Sequence, residues 1–212
     1  MTVRALLTPS LLATALLFAC KSELDNKPAA KVEDAKPAAE PAAPPVASAL
    51  TYKVDVAASK IGFVGAKLTG DHTGGFGEFT GEATINGGEP TAIKFEVAMA
   101  SLTSDADGLT THLKSPDFFD VETYPTSTFT STAITKKSGE GDTTHEITGD
   151  LTLHGATKSI TFPAAIKVES AAASGRAEFK IDRQQWGIVF PGKPDDLIKD
   201  EVLLKLDLRF TP

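Results

Sequence analysis

Between residues 202 and 210 the chain alternates: Val202, Leu204, Leu206, Leu208 and Phe210 share one parity, and Leu203, Lys205, Asp207 and Arg209 the other. Successive side chains of a β-strand point to opposite faces, so this period of two fits a strand with one apolar face and fits no helix. The same period recurs in Tyr52, Val54 and Val56, in Ile93, Phe95, Val97 and Met99, and in Ile147, Leu151 and Leu153. It returns in Ile160, Phe162, Ala164, Ile166 and Val168, and again in Ala177, Phe179 and Ile181. Turn formers separate the runs: Thr69-Gly70-Asp71, Asn86-Gly87-Gly88, Ser138 to Asp142, and Ser174-Gly175. Strands apolar on one face only belong to an antiparallel sheet around a single interior. About eight strands are expected, and closing them into a barrel leaves no exposed edge.

One stretch breaks the pattern. Ser104 or Asp105 is placed to cap a short helix through Lys114, and Ser115-Pro116 to restart one, with Phe118, Phe119 and Val121 on its apolar face. The expected fold is therefore all-β: an antiparallel barrel of about eight strands with a short helical insertion.

The N-terminus has a different character. A positive start at Arg4, an apolar run from Leu11 to Phe18 and the small residue Ala19 read as a secretory signal peptide over residues 1–19. Leu17-Phe18-Ala19-Cys20 resembles a bacterial lipobox, which makes Cys20, the only cysteine, the expected lipidation site. Residues 20–50 are rich in Ala, Pro, Lys and Glu and read as a disordered tether, reaching roughly 90 Å if extended. The folded domain is expected over residues 51–212. The first fifty residues carry five basic and five acidic groups, so the whole net charge of −7 falls on that domain. Such a surface repels phosphate backbones, which argues against nucleic acid as a partner. Lys21 after the cysteine favours the outer membrane, so the expected place is the cell envelope, anchored and facing the periplasm.

Signatures of chemistry are sparse. There is no G-x-S-x-G elbow and no P-loop, and Gly75-Phe76-Gly77 runs into a strand pattern where a dinucleotide site needs a helix. His72, His112, His145 and His154 form no metal-binding spacing. No catalytic residue, cofactor or metal is expected.

Four blocks resemble the YceI-like family. They are Ser59-Lys60-Ile61-Gly62-Phe63 with Gly74 to Gly81; His112 to Val121 with Tyr124-Pro125; Gly149 to Lys158; and Ile181 to Ile188. The resemblance covers residues 52–210 and implies a lipocalin-like barrel with an elongated apolar cavity. It also implies a polyisoprenoid or other long-chain lipid as partner.

The candidate lining is Phe63, Phe76, Phe79, Phe95, Phe118, Phe119, Phe129, Leu153, Phe162, Ile181, Trp186, Ile188 and Leu204. Small residues at interior parity (Gly62, Gly65, Ala83, Ala133, Ala164 and Ala177) leave room for a slot among them. His112 and Arg183 are the candidate head-group contacts, although Asp182 and Arg183 also suit a structural pair. Phe118 and Phe119 are expected to form a lid. Two alternatives stay open on sequence alone: an envelope lipoprotein with a filled barrel, and an enzyme of unrecognised chemistry using His112, His154 or Asp182. Dimerisation is also left open.

Overall fold

A computed structural model describes residues 22–35, 49–139 and 141–212. Its strands are β1 (Lys31–Asp34), β2 (Leu50–Val54), β3 (Lys60–Lys67), β4 (Gly70–Phe76), β5 (Phe79–Asn86), β6 (Glu89–Ala98) and β7 (Leu102–Ser104). A helix, α1 (Asp107–Lys114), precedes β8 (Thr126–Lys136), β9 (His145–Leu153), β10 (Ala156–Val168), β11 (Ala173–Asp182), β12 (Gly192–Lys193) and β13 (Asp196–Thr211).

Eight of these strands close a ring, in the order β2, β5, β6, β8, β9, β10, β11, β13 and back to β2. Every pairing in the ring is antiparallel. The fold is thus an all-β, closed eight-stranded barrel with one short helix, as the periodicity predicts. The alternating positions of β13 point inward, and Leu208 and Phe210 are buried there.

β13 is long enough to serve two partners along one edge. Near its start it pairs β3, from Ile198↔Lys67 to Asp207↔Lys60, and at its end it pairs β2 through Phe210↔Val54. The hairpin β3–β4 and the short β7 therefore extend the wall at one end only. At this helical end gather α1, the β3–β4 turn, the β9–β10 turn and the loop leading to β13. The turns after β5, β8 and β10 lie at the opposite end. There Gly87 and Gly88, both at positive φ (60° and 84°), make the two-residue turn that Asn86-Gly87-Gly88 announces.

Four local expectations are corrected. Ser174-Gly175 is no turn but lies inside β11, where Gly175 pairs Ile166; the chain reverses before it, through the Glu169 amide bond to the Ala172 carbonyl at 2.8 Å. Ala133 faces outward, because the β8–β9 register shifts between Ser131 and Ala133 and inverts the parity of the rest of β8. The helix begins at Asp107, and neither Ser104 nor Asp105 is its cap. No second helix succeeds Ser115-Pro116: Asp120 takes a left-handed conformation (φ 43°), and consecutive turns carry the chain to Tyr124.

The largest departure lies before the barrel. Residues 22–35 are not free tether but lie along the outer wall. Leu24, 2% exposed, covers Val64, Ala66 and Leu203, the outward apolar residues of β3 and β13. Further on, the arm enters a gap. β10 and β11 pair with each other only from Ala165↔Arg176 to Val168↔Ala173. Beyond that, β1 pairs β10 from Lys31↔Thr161 to Asp34↔Lys158. On the other side Lys180 of β11 donates to the Pro28 carbonyl and accepts from the Ala30 amide, both at 2.8 Å. Composition misleads here because an arm needs no core of its own. It borrows the apolar patch and the unpaired strand edges that the barrel presents. Residues 1–21 and 36–48, with the signal peptide, Cys20 and the rest of the expected tether, lie outside the described residues.

If Leu24 seats the arm, Leu24→Ala should weaken docking by about 2–3 kcal/mol. Hydrogen exchange should show faster exchange of the Lys180 and Ala30 amides, with the β8–β9 amides unchanged. Uniformly faster exchange throughout the barrel would instead make Leu24 part of the global core.

Candidate functional site

The barrel encloses an elongated cavity of about 470 Å³, bounded by Phe190 and Lys193 toward the helical end and by Pro90 and Ser174 toward the opposite one. All of the expected lining residues border it except Phe79 and Trp186. Phe79 has inward parity but is the first residue of β5 and does not reach the cavity. Trp186 sits in the turn after β11, 1% exposed within the core, where its indole Nε1 donates to the Leu151 carbonyl at 3.1 Å. It packs among the inward residues of β9, β10 and β11 without bordering the cavity.

Room survives in a phenylalanine-rich interior because three rings lean over glycines of neighbouring strands. Phe63 faces Gly74 across β3–β4, and Phe95 faces Gly81 across β5–β6. A Cβ at Gly74 or Gly81 would lie 2.3 Å from the facing ring, and one at Gly149 would lie 2.4 Å from the ring of Phe129. Each ring thus occupies the place of a missing side chain on the wall, not the lumen. Phe162 and Phe179 add a stacked pair, with centroids 4.0 Å apart and planes 13° from parallel. Phe179 is absent from the expected lining, although its parity with Ala177 and Ile181 carries the signal. Of the interior small residues, Gly65, Ala83, Ala164 and Ala177 border the cavity, whereas Gly62 and Ala133 do not.

The helical end is capped by rings. His112 lies edge-on to Phe118 and to Phe190, each at 5.0 Å, and Phe118 is 5.2 Å from Phe190. Phe118 is buried and Phe119 half-buried, and both border the cavity. The His112 Nε2 is 2.9 Å from an Asp117 carboxylate oxygen, which orients the ring at the cavity's edge.

Arg183 borders the cavity, but its guanidinium is already engaged within the protein. Only 4% exposed, it donates to the Ile188 carbonyl at 2.6 Å, the Lys199 carbonyl at 3.2 Å and the Asp200 carboxylate at 3.1 Å. These bonds fasten the loop after β11 to the start of β13. Nor does Arg183 pair with Asp182, whose carboxylate instead accepts from the Gln184 amide at 2.9 Å. His154, at φ 48° in the β9–β10 turn, places Nδ1 3.1 Å from the Trp186 carbonyl oxygen. His72 pairs with Asp105 at 2.9 Å, and the Thr73 amide and the His72 ring hold that carboxyl below the ordinary carboxylate range. The histidines are thus dispersed over the wall, and no metal-binding group of His, Cys, Asp and Glu occurs among the described residues.

Two outcomes are expected from this geometry. Gly81→Ala should push the Phe95 ring into the lumen, since the three atoms nearest a Cβ there all belong to that ring. The strain should cost about 1–3 kcal/mol. The double variant Gly81→Ala with Phe95→Leu should recover most of it in thermal melts; no recovery would mean that Gly81 is needed for another reason. The second outcome concerns His145, which is buried with Nε2 unpartnered and Glu89 3.9 Å away. Burial holds its pKa below the usual value, so the folded state keeps the ring neutral. Above about pH 6.5 neither state is protonated; below it the unfolded chain takes up the proton first, so stability falls with acidification. His145→Gln should flatten that part of the melt-versus-pH curve.

Comparison with known proteins agrees with this architecture. Residues 52–210 match the YceI-like domain. A UPF0312 protein of Pseudomonas putida (strain W619) is 39% identical over 127 residues, covering 56% of this chain and 65% of its own length. Protein YceI of Escherichia coli O157:H7 is 39% identical over 95 residues, covering 44% and 48%. These matches span less than two thirds of each relative's length. Among solved structures, Burkholderia cenocepacia BcnA superposes with a TM-score of 0.65 at 24% identity, covering 74% of this chain and 98% of its own. A polyisoprenoid binding domain from Saccharophagus degradans superposes at 0.60 with 16% identity, covering 76% and 97%. At such identities the likeness bears on the fold. With its family match extending from within β2 to the last inward position of the closing strand, the chain belongs to the YceI-like family.

Proposed function

We propose that this domain binds and shelters one long-chain apolar molecule, a polyisoprenoid or another lipid, in the cell envelope, and that acylated Cys20 holds it at the membrane. The cavity carries this reading: about 470 Å³ bounded chiefly by aliphatic and phenyl side chains, within the range of small-molecule sites. A chain of roughly sixteen methylenes buried there gains about 13 kcal/mol before ordering and association costs. That leaves enough for micromolar or tighter binding.

The polar groups suit binding better than catalysis. Asp182 and His154 are engaged with backbone, and His112 stands at the rim, where it can accept or donate one hydrogen bond to a ligand's polar end. The Saccharophagus degradans domain of the same fold is described as polyisoprenoid binding, which supports the class of ligand.

Titration of a fluorescent polyprenyl or fatty-acid analogue tests the reading. The wild-type domain should saturate with one probe, and Phe119→Ala should weaken it about tenfold, ~1.4 kcal/mol, with the melt nearly unchanged. A melt lowered by about 3–5 kcal/mol with binding intact would make Phe119 plain core.

A further inference from the structure

The arm fixes where the start of the chain leaves the barrel. The Ser22 hydroxyl is within hydrogen-bond distance of both carboxylate oxygens of Asp71, at 3.0 and 2.8 Å, and the Glu23 amide donates to the same group at 3.0 Å. Asp71 is the second residue of β4, directly after the β3–β4 turn at the helical end. Only Lys21 separates Ser22 from Cys20. Two residues span at most about 7 Å. Whatever Cys20 is fastened to must therefore lie against this rim.

The same rim carries exposed large apolar side chains: Leu68 at 68%, Val189 at 62% and Leu197 at 46%. Scattered exposed leucines are ordinary, but these stand on neighbouring segments that are tied together. The Leu68 amide donates to the Leu197 carbonyl at 3.1 Å, and the Ile198 amide to the Pro191 carbonyl at 3.0 Å. Several carboxylates nearby are already partnered. Asp196 pairs with Lys67 at 2.6 Å, Asp105 with His72 at 2.9 Å and Asp200 with Arg183 at 3.1 Å. Pairing lowers the cost of bringing them toward a low-dielectric surface. Finally, the cavity reaches this rim, where Phe190, Gly192 and Lys193 border it.

We propose that the helical end is a membrane-docking face, with Leu68, Val189 and Leu197 entering the bilayer interface and the cavity opening toward the lipid. A long-chain ligand then moves between bilayer and cavity without crossing bulk water. Docking rests on the reading that Cys20 is acylated, since the short Cys20–Ser22 link presses this rim against the membrane. Apolar contact, not charge, drives it, so zwitterionic lipid suffices.

The test uses the full chain, purified from membranes and reconstituted in phosphatidylcholine vesicles that carry spin-labelled acyl chains. Leu197→Trp reports the helical end and Leu50→Trp the opposite end, against the buried Trp186 as constant background. The Leu197→Trp signal should shift to the blue and lose most of its added emission to the quencher, and the Leu50→Trp signal should do neither. A Leu68→Ala, Val189→Ala variant in the Leu197→Trp background should regain most of the quenched emission. Protein that floats with the vesicles but shows equal or no quenching at the two ends would overturn the docking face and leave the anchor standing. If a Cys20→Ser chain floats as well as the wild type, the anchor falls, and quenching at Leu197 then decides docking alone. A wild-type chain that does not float overturns both.

Discussion

The structure depends on where its phenyl rings go. Eleven of the twelve phenylalanines lie in the domain, and rings standing upright on the wall would take up its lumen. Phe63, Phe95 and Phe129 instead lean across neighbouring strands onto Gly74, Gly81 and Gly149, so ring area lines the lumen without occupying it. This is cross-strand packing of an aromatic against a glycine, which also supports a strand position that has no side chain of its own. The cavity's volume and its apolar lining both depend on that arrangement.

A second constraint is the length of β13. One edge of this strand serves β3 at its start and β2 at its end, so the two ends of the barrel differ. The opposite end carries the connections after β5, β8 and β10. The helical end is completed by α1, the Phe118–His112–Phe190 cluster and the arm between β10 and β11. The cavity reaches the same end at which the arm is added to the wall.

Much of this is legible in the sequence, for physical reasons. Alternation survives wherever one strand face is wet and the other dry, which is why β6, β10, β11 and β13 can be read residue by residue. Leu203 breaks that rule, and the break is informative: its outward face is covered by Leu24. The features that escape a sequence reading depend on partners distant along the chain. The bulge that turns Ala133 outward is a property of the β8–β9 pairing, and no local signal marks it. Arg183 looks paired with its neighbour Asp182 but is held by Asp200 and two carbonyls from elsewhere. Nothing local to Gly74, Gly81 and Gly149 marks them as seats for rings, since each ring comes from another strand. The arm is hidden because composition reports whether a segment can build a core, not whether it can borrow one.

The most direct test of the central claim is to ask what the cavity holds. The chain would be purified from its native envelope without detergent exchange, extracted with organic solvent, and the extract analysed by mass spectrometry against intact-protein native mass spectra. One long-chain, largely apolar molecule per chain is expected, lost in parallel from both measurements on delipidation and regained on incubation with envelope lipid. An extract free of such a molecule, from folded protein that also takes up none when offered total envelope lipid, would contradict a binding role for the cavity.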